Sequence, residues 1–241
     1  MPLTFISEDI TKVAADAIVN AANPQLRAGG GVCGAIFRAA GYEKLQSACD
    51  RIGGCHTGQA VITEGFALPA KYVIYTVGPR YRPGTQGQAG LLRDCYENSL
   101  ALARWYGLCS IVFPLISSGK YGYPRWEALD IAIHAIVNYL EYSGDELDVS
   151  LCLLDPDLLS AAESIKAKWL EKTLEDKVRK AQNYDAEMSG MRFKQRKIAF
   201  YPEDLAKMET MTVEEQTDFV IQLRKAHRYV YVEADDAPED K

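Results

Sequence analysis

A chain of 241 residues, 48% hydrophobic and 25% charged, has the make-up of a globular protein with one full core and room for an appendage. Its net charge of −6 argues against broad electrostatic binding to nucleic acid, though not against an anion held by backbone amides. No apolar run is long enough to span a bilayer, and Met1-Pro2-Leu3-Thr4 lacks the basic flank and apolar stretch of a secretory signal, so neither is expected.

In chain order, Leu3–Ile6 predicts a first strand, with Asp9-Ile10-Thr11 just beyond it. Ala17–Asn20 predicts a second, which runs into Ala21-Ala22-Asn23 and then the glycine run Gly29-Gly30-Gly31-Val32-Cys33-Gly34. That run opens what reads as a helix from Val32 to Ala40, in a helical stretch taken as a whole over Val32–Arg51. Glycines let backbone N–H groups approach an anion closely, and a helix N-terminus adds partial positive charge. The two asparagines bring amides that orient a polar ligand without adding charge. Strands follow at Ala60–Thr63 and at Tyr72–Val77, the latter ending in the tight turn Gly78-Pro79, and then a helix over Gly90–Tyr106. The strand Ser110–Pro114 leads into a second Ser/Gly loop, Leu115-Ile116-Ser117-Ser118-Gly119-Lys120-Tyr121-Gly122, before a helix over Arg125–Tyr142. A last strand, Val149–Leu154, precedes a helix from Asp157 onward. Alternating strands and helices indicate a layered α/β domain with a mainly parallel sheet, whose ligands sit beyond the carboxyl ends of the strands. Two strand-to-helix glycine loops there can clamp a diphosphate between them.

The composition changes near Trp169. Lys168–Val178 continues a charged helix with apolar residues at 165, 169, 170, 174 and 178, the spacing of one buried stripe. A polar stretch around Asn183–Gly190 follows, then the apolar Ile198–Pro202. Thr212-Val213-Glu214-Glu215 reads as a capping box opening a helix to about Arg228, and the acidic end, 233–241, is expected to be disordered. The expected division is a domain over 1–167, a mainly helical extension over 168–232 and the acidic tail. The extension packs as extra helices, self-associates or meets a protein partner; it carries no basic–aromatic stripe for nucleic acid. Six cysteines scattered without a C-x-x-C pair, beside three histidines, suit reduced thiols in the cytoplasm better than disulfides or a metal site.

From about Leu3 to about Asp155 the chain resembles the macro domain family, and within it the MacroD-like branch. Asp9-Ile10-Thr11, the block Ala17–Asn23 with its glycine run, Leu68-Pro69-Ala70-Lys71-Tyr72 and Ile116-Ser117-Ser118-Gly119 stand in family order and spacing. The resemblance implies a three-layer α/β/α fold with a mixed, mostly parallel sheet, followed by the C-terminal helical extension. It implies ADP-ribose or an ADP-ribosylated substrate as ligand, no cofactor and no metal. The implied activity is hydrolysis of ADP-ribosyl esters, either O-acetyl-ADP-ribose or ADP-ribosylated acidic side chains; the alternative is a non-catalytic reader coupled to a partner through the extension.

On that resemblance Asp9, with Ile10 beside it, accepts a hydrogen bond from the adenine amino group. Gly30, Gly31 and Val32 offer backbone N–H groups to one phosphate, and Ser117, Ser118, Gly119 and Lys120 to the other. Tyr121 falls where the family places an aromatic over the distal ribose; Asn20 and Asn23 are candidates for contact with that ribose, and Asn23 matches the functional asparagine. The residues alone also allow plainer readings: Asp9 as a turn cap before Thr11, Tyr121 as surface packing, the asparagines as turn residues.

Three positions depart from the family. MacroD-like hydrolases carry an aspartate that activates or positions the attacking water where this chain has Cys33, and commonly a histidine where it has Phe37. Where relatives often stack an aromatic on adenine, the residue is Leu154. Cys33, with Asn23 the candidate catalytic pair, reads as a small half-apolar filler, as a minor electrostatic or redox group, or as one half of a Cys–His pair with His56.

Overall fold

A computed structural model of the protein describes residues 2–143 and 147–190, together with 196–199, 207, 211, 219 and 230–233. The chain divides into two compact units, Met1–Lys177 and Val178–Lys241.

In the first unit six strands form one sheet: β1 (Leu3–Ile6), β2 (Ala17–Ala21), β3 (Ala60–Glu64), β4 (Tyr72–Thr76), β5 (Ser110–Pro114) and β6 (Asp148–Cys152). Their order is β1-β6-β5-β2-β4-β3, and every pairing is parallel except that of the edge strand β3 with β4. Helices α1 (Val32–Ala40), α2 (Tyr42–Ile52), α3 (Gln88–Trp105), α4 (Arg125–Ser143) and the start of α5 (Pro156–Gly190) cover its faces.

The central strands read as nearly continuous apolar runs because both faces are buried. Successive side chains then go to opposite layers. Val19, Ile74 and Phe113 join one core cluster with α3, α4 and the start of α5, while Ile18, Val73, Tyr75 and Val112 join a second with α1 and α2. The result is the expected three-layer α/β/α arrangement with a mixed, mostly parallel sheet.

Three local expectations are corrected. The helix expected over Val32–Arg51 is two helices, broken at Gly41, whose φ of 91° no helix accommodates. The polar stretch Asn183–Gly190 does not end a helix, since α5 runs through it. The apolar stripe of α5 holds at Ile165, Trp169 and Leu170 and then fails, with Leu174 and Val178 exposed. The facing positions of α4 are polar there: Thr173 Oγ1 donates to Asn138 Oδ1 (2.8 Å), and Lys177 Nζ reaches Glu141 Oε2 (2.9 Å). One turn earlier, Trp169 stacks on His134 (centroids 3.7 Å apart) and donates to Asp130 (2.9 Å).

The second unit holds, besides the end of α5, an antiparallel pair of strands, β7 (Arg196–Ala199) and β8 (Val230–Glu233), so the extension is not wholly helical. The helix read over 212–228 and the acidic tail lie outside the described residues, apart from single positions. No helix among the described residues is long and apolar enough to cross a membrane.

Asp16, just before β2, ties three strands at the end of the sheet away from the glycine loops. Its Oδ1 pairs with Lys71 Nζ (2.6 Å), and its Oδ2 accepts from the N–H groups of Cys109 (2.8 Å) and Ser110 (3.2 Å). The Lys71 bond first, then the Cys109 N–H, holds the carboxyl below the usual carboxylate range. A depressed folded value means that the stabilisation is present above the unfolded value of about 3.9 and is lost as the pH falls through the folded one. Asp16→Ala is therefore expected to cost about 1.5–3 kcal/mol at neutral pH. Denaturant titrations should show that deficit closing as acid protonates Asp16 in the parent protein.

Candidate functional site

The two glycine loops meet because of strand order. They leave the carboxyl ends of β2 and β5, which are neighbours, and the helices that follow, α1 and α4, go to opposite faces of the sheet. This is a topological switch point, where a crevice opens. A cleft of roughly 1120 Å³ lies there, just above the usual volume range of small-molecule sites.

The first loop is set by Asn23, whose Oδ1 accepts from the Arg27 N–H (3.1 Å) and whose Nδ2 donates to the Arg27 carbonyl (2.6 Å). Gly31, at φ 63°, starts α1 with no side-chain cap, leaving first-turn N–H groups for a ligand. Gly34 permits the closest approach. A Cβ there would overlap the Gly29 carbonyl oxygen, so the first turn of α1 lies directly on the glycine run.

The second loop turns at Ser117, a non-glycine residue held at φ 63° with its hydroxyl buried and unpartnered. Only a glycine at 78 fits beneath it, because a Cβ there would collide with Ser117 Oγ. Tyr96, buried in α3, accepts the Ile116 N–H (3.1 Å) and fixes the loop's entry. Ser118 spends its hydroxyl on the Leu115 carbonyl (2.8 Å). The Lys120 side chain lies over Gly30, bridging the two loops, and the Arg80 guanidinium sits 5.0 Å from the centroid of the Tyr121 ring.

At the opposite end stand Glu8, Asp9 and Ile10 beyond β1, and Leu154 and Asp155 beyond β6. Asp9 does cap the short turn Ile10–Lys12: Oδ1 accepts from Thr11 Oγ1 (2.7 Å) and the Thr11 N–H (3.1 Å). Those bonds, the hydroxyl's first, hold its carboxyl below the usual range, and lone pairs remain for a ligand. Leu154 is 72% exposed and presents an aliphatic surface. Asp155 caps α5 through the Asp157 N–H (3.1 Å) and binds Arg125 (3.0 Å), which places a guanidinium on the same rim.

Of the residues read from sequence, Asp9, Ile10, Asn23, Gly30, Gly31, Val32, Cys33, Ser117, Ser118, Gly119, Lys120 and Tyr121 all line this cleft. Asn20 does not. It is fully buried on β2 beneath the cleft floor, where Nδ2 donates to Cys33 Sγ (3.6 Å) and Oδ1 has no partner. Cys33, 5% exposed, is pinned from the other side by the Arg27 carbonyl (3.8 Å). Phe37, where relatives commonly carry a histidine, lies in the core against Tyr75 and Tyr42 and does not line the cleft. His56 is exposed and does not line the cleft, which leaves the Cys33–His56 pair without support. Sequence reasoning missed Arg80 and Arg125, neither of which belongs to a motif; each is placed by a partner distant in sequence, Tyr121 for Arg80 and Asp155 for Arg125. Among the described residues no group of three His, Cys, Asp or Glu is placed to hold a metal ion.

The Macro domain family model matches residues 19–132. The chain is 55% identical over 139 residues to the O-acetyl-ADP-ribose deacetylase of Citrobacter rodentium, covering 56% of this chain and 78% of that one. It superimposes on the Oceanobacillus iheyensis macrodomain with ADP at a TM-score of 0.64 and 39% identity, covering 70% of this chain and 90% of the other. The Trypanosoma brucei macrodomain in complex with ADP-ribose gives 0.62 and 39%, covering 68% of each.

Proposed function

The chain belongs to the macro domain family, and from that premise we propose that its cleft binds ADP-ribose and hydrolyses ADP-ribosyl esters, such as O-acetyl-ADP-ribose or ADP-ribosylated acidic side chains. The observation that carries the reading is the pair of glycine loops facing each other from adjacent strands, with a charged Asp9 at one end of the cleft and Asn23 with Cys33 among its other lining residues.

Adenine lies at the Asp9 end, where an acceptor-only carboxylate matches its amino group. Ile10 and Leu154 supply apolar contact, and the Arg125 guanidinium, steadied by Asp155, offers a flat cationic face. The diphosphate takes backbone N–H groups of Gly30–Val32 and of the Ser117–Lys120 loop, with the Lys120 ammonium nearby. The distal ribose rests under Tyr121 against Asn23, whose amide is fixed by both bonds to Arg27 and keeps one hydrogen and one lone pair free.

Hydrolysis adds water to the ester carbonyl and expels the ribose hydroxyl, giving free ADP-ribose and the carboxylic acid. The chain contributes by holding ester and water together and by aiming N–H dipoles at the oxyanion. A thiol at 33 leaves general-base assistance weak. One observation favours the reader alternative: the carboxylates lining the cleft are Glu8, Asp9 and Asp155, all at the adenine end. In that reading the segment 168–232 passes binding on to a partner or a second copy. The six free thiols support a reducing compartment, the cytoplasm.

Incubating the full chain with O-acetyl-ADP-ribose and separating the products decides between the two. Acetate and ADP-ribose forming well above the spontaneous rate are expected. Saturable binding without turnover would leave the reader.

A further inference from the structure

The charges along the cleft are sorted. Its carboxylates stand at the adenine end, where Asp155 is neutralised by Arg125 and Asp9 has Lys12 at 3.9 Å. The Ser/Gly-loop rim carries Lys120 and Arg80, and among the described residues neither makes an ion pair. ADP-ribose bears its negative charge on the diphosphate. Lys120, lying over Gly30 of the first loop, is placed to meet it. The distal ribose is neutral, so ADP-ribose leaves Arg80 without a counter-charge.

Arg80 is also held in place. Pro79 before it is buried, and Gly78 is wedged under Ser117. After it, the Tyr81 N–H donates to the Tyr121 carbonyl (2.8 Å), and Arg82 is clamped by Gln88 through its N–H (2.8 Å) and its carbonyl (2.7 Å). Lying over the Tyr121 ring, the guanidinium keeps its N–H edge free for a carboxylate.

We propose that Arg80 selects among ADP-ribosylated acceptors, favouring peptides in which the modified acidic side chain is flanked by further carboxylates. The inference rests on the ADP-ribose reading of the cleft and names the acceptor class for that site. An acetyl acceptor makes no use of this charge; an acidic peptide leaving the distal ribose meets it.

The test uses the full chain and two synthetic peptides carrying ADP-ribose through a non-hydrolysable link, one flanked by glutamates and one by glutamines. Dissociation constants are measured for the parent protein, Arg80→Gln and Arg80→Lys, with free ADP-ribose in parallel. The glutamate peptide is expected to bind the parent protein about three- to fivefold more tightly at low ionic strength, the preference shrinking with added salt. Arg80→Lys retains part of that ratio, and Arg80→Gln brings it to about one. Free ADP-ribose binding with no preference in the parent, or the same preference in Arg80→Gln, overturns this inference alone. Failure of the parent to bind free ADP-ribose overturns the proposed function and this inference together.

Discussion

Gly34→Ala is expected to weaken ADP-ribose binding at least 30-fold, about 2 kcal/mol, while leaving the protein folded. The added Cβ meets the Gly29 carbonyl oxygen, which is backbone and cannot swing aside as a side chain would. Either the first turn of α1 or the glycine run must shift, and the run carries the N–H groups assigned to the diphosphate. Stability is cushioned, because two effects oppose each other. Alanine in a helix gains about 1 kcal/mol over glycine, and overpacking costs roughly 1–3 kcal/mol. Gly90→Ala is the control: it lies on α3 outside the cleft, where its added Cβ meets only Arg93 Nη2 at an ordinary 3.7 Å, and should keep affinity within a few-fold. Titration calorimetry and thermal melts of both variants check the separation. An unaltered affinity in Gly34→Ala would mean that the ligand does not use the first loop.

Cys33→Asp is expected to raise O-acetyl-ADP-ribose turnover about 100-fold, at the lower end of the range for general-base assistance. The site is half prepared for the carboxylate, since Asn20 Nδ2 already points at position 33 from below. The Arg27 carbonyl on the other side opposes the new charge, and together with burial it should lower stability by about 1–3 kcal/mol. Affinity for ADP-ribose should stay within about threefold, because the phosphate cradle is backbone. If the protein is a reader, the same variant creates turnover where none existed. A tenfold fall in turnover would instead make the thiol itself a participant.

The layers were legible because strand alternation is a local property: Ile18 and Val19, or Val112 and Phe113, go to opposite cores simply by being adjacent. Both glycine loops were legible for the same reason, each being a strand, a turn and a helix start in sequence. The break at Gly41 was not, since a lone glycine inside a helical pattern is tolerated unless the chain must turn there. Asn20 and Asn23 look alike in the sequence. Asn20 shares with Ile18 the face of β2 that is buried against α1 and α2, while Asn23, past the strand's end, reaches the cleft. Arg80, Arg125 and Asp155 gave no pattern because each works through a neighbour distant in sequence: Tyr121 for the first, and one another for the other two. Leu174 and Val178 keep the helical period yet stay exposed, since what α5 buries is decided by Asn138 and Glu141 on α4.

The most direct test of the account is calorimetric titration of ADP-ribose into the full chain, with Gly34→Ala run beside it. The account predicts one-to-one micromolar binding that the variant weakens at least 30-fold. No saturable heat from the parent protein at millimolar ADP-ribose would contradict it.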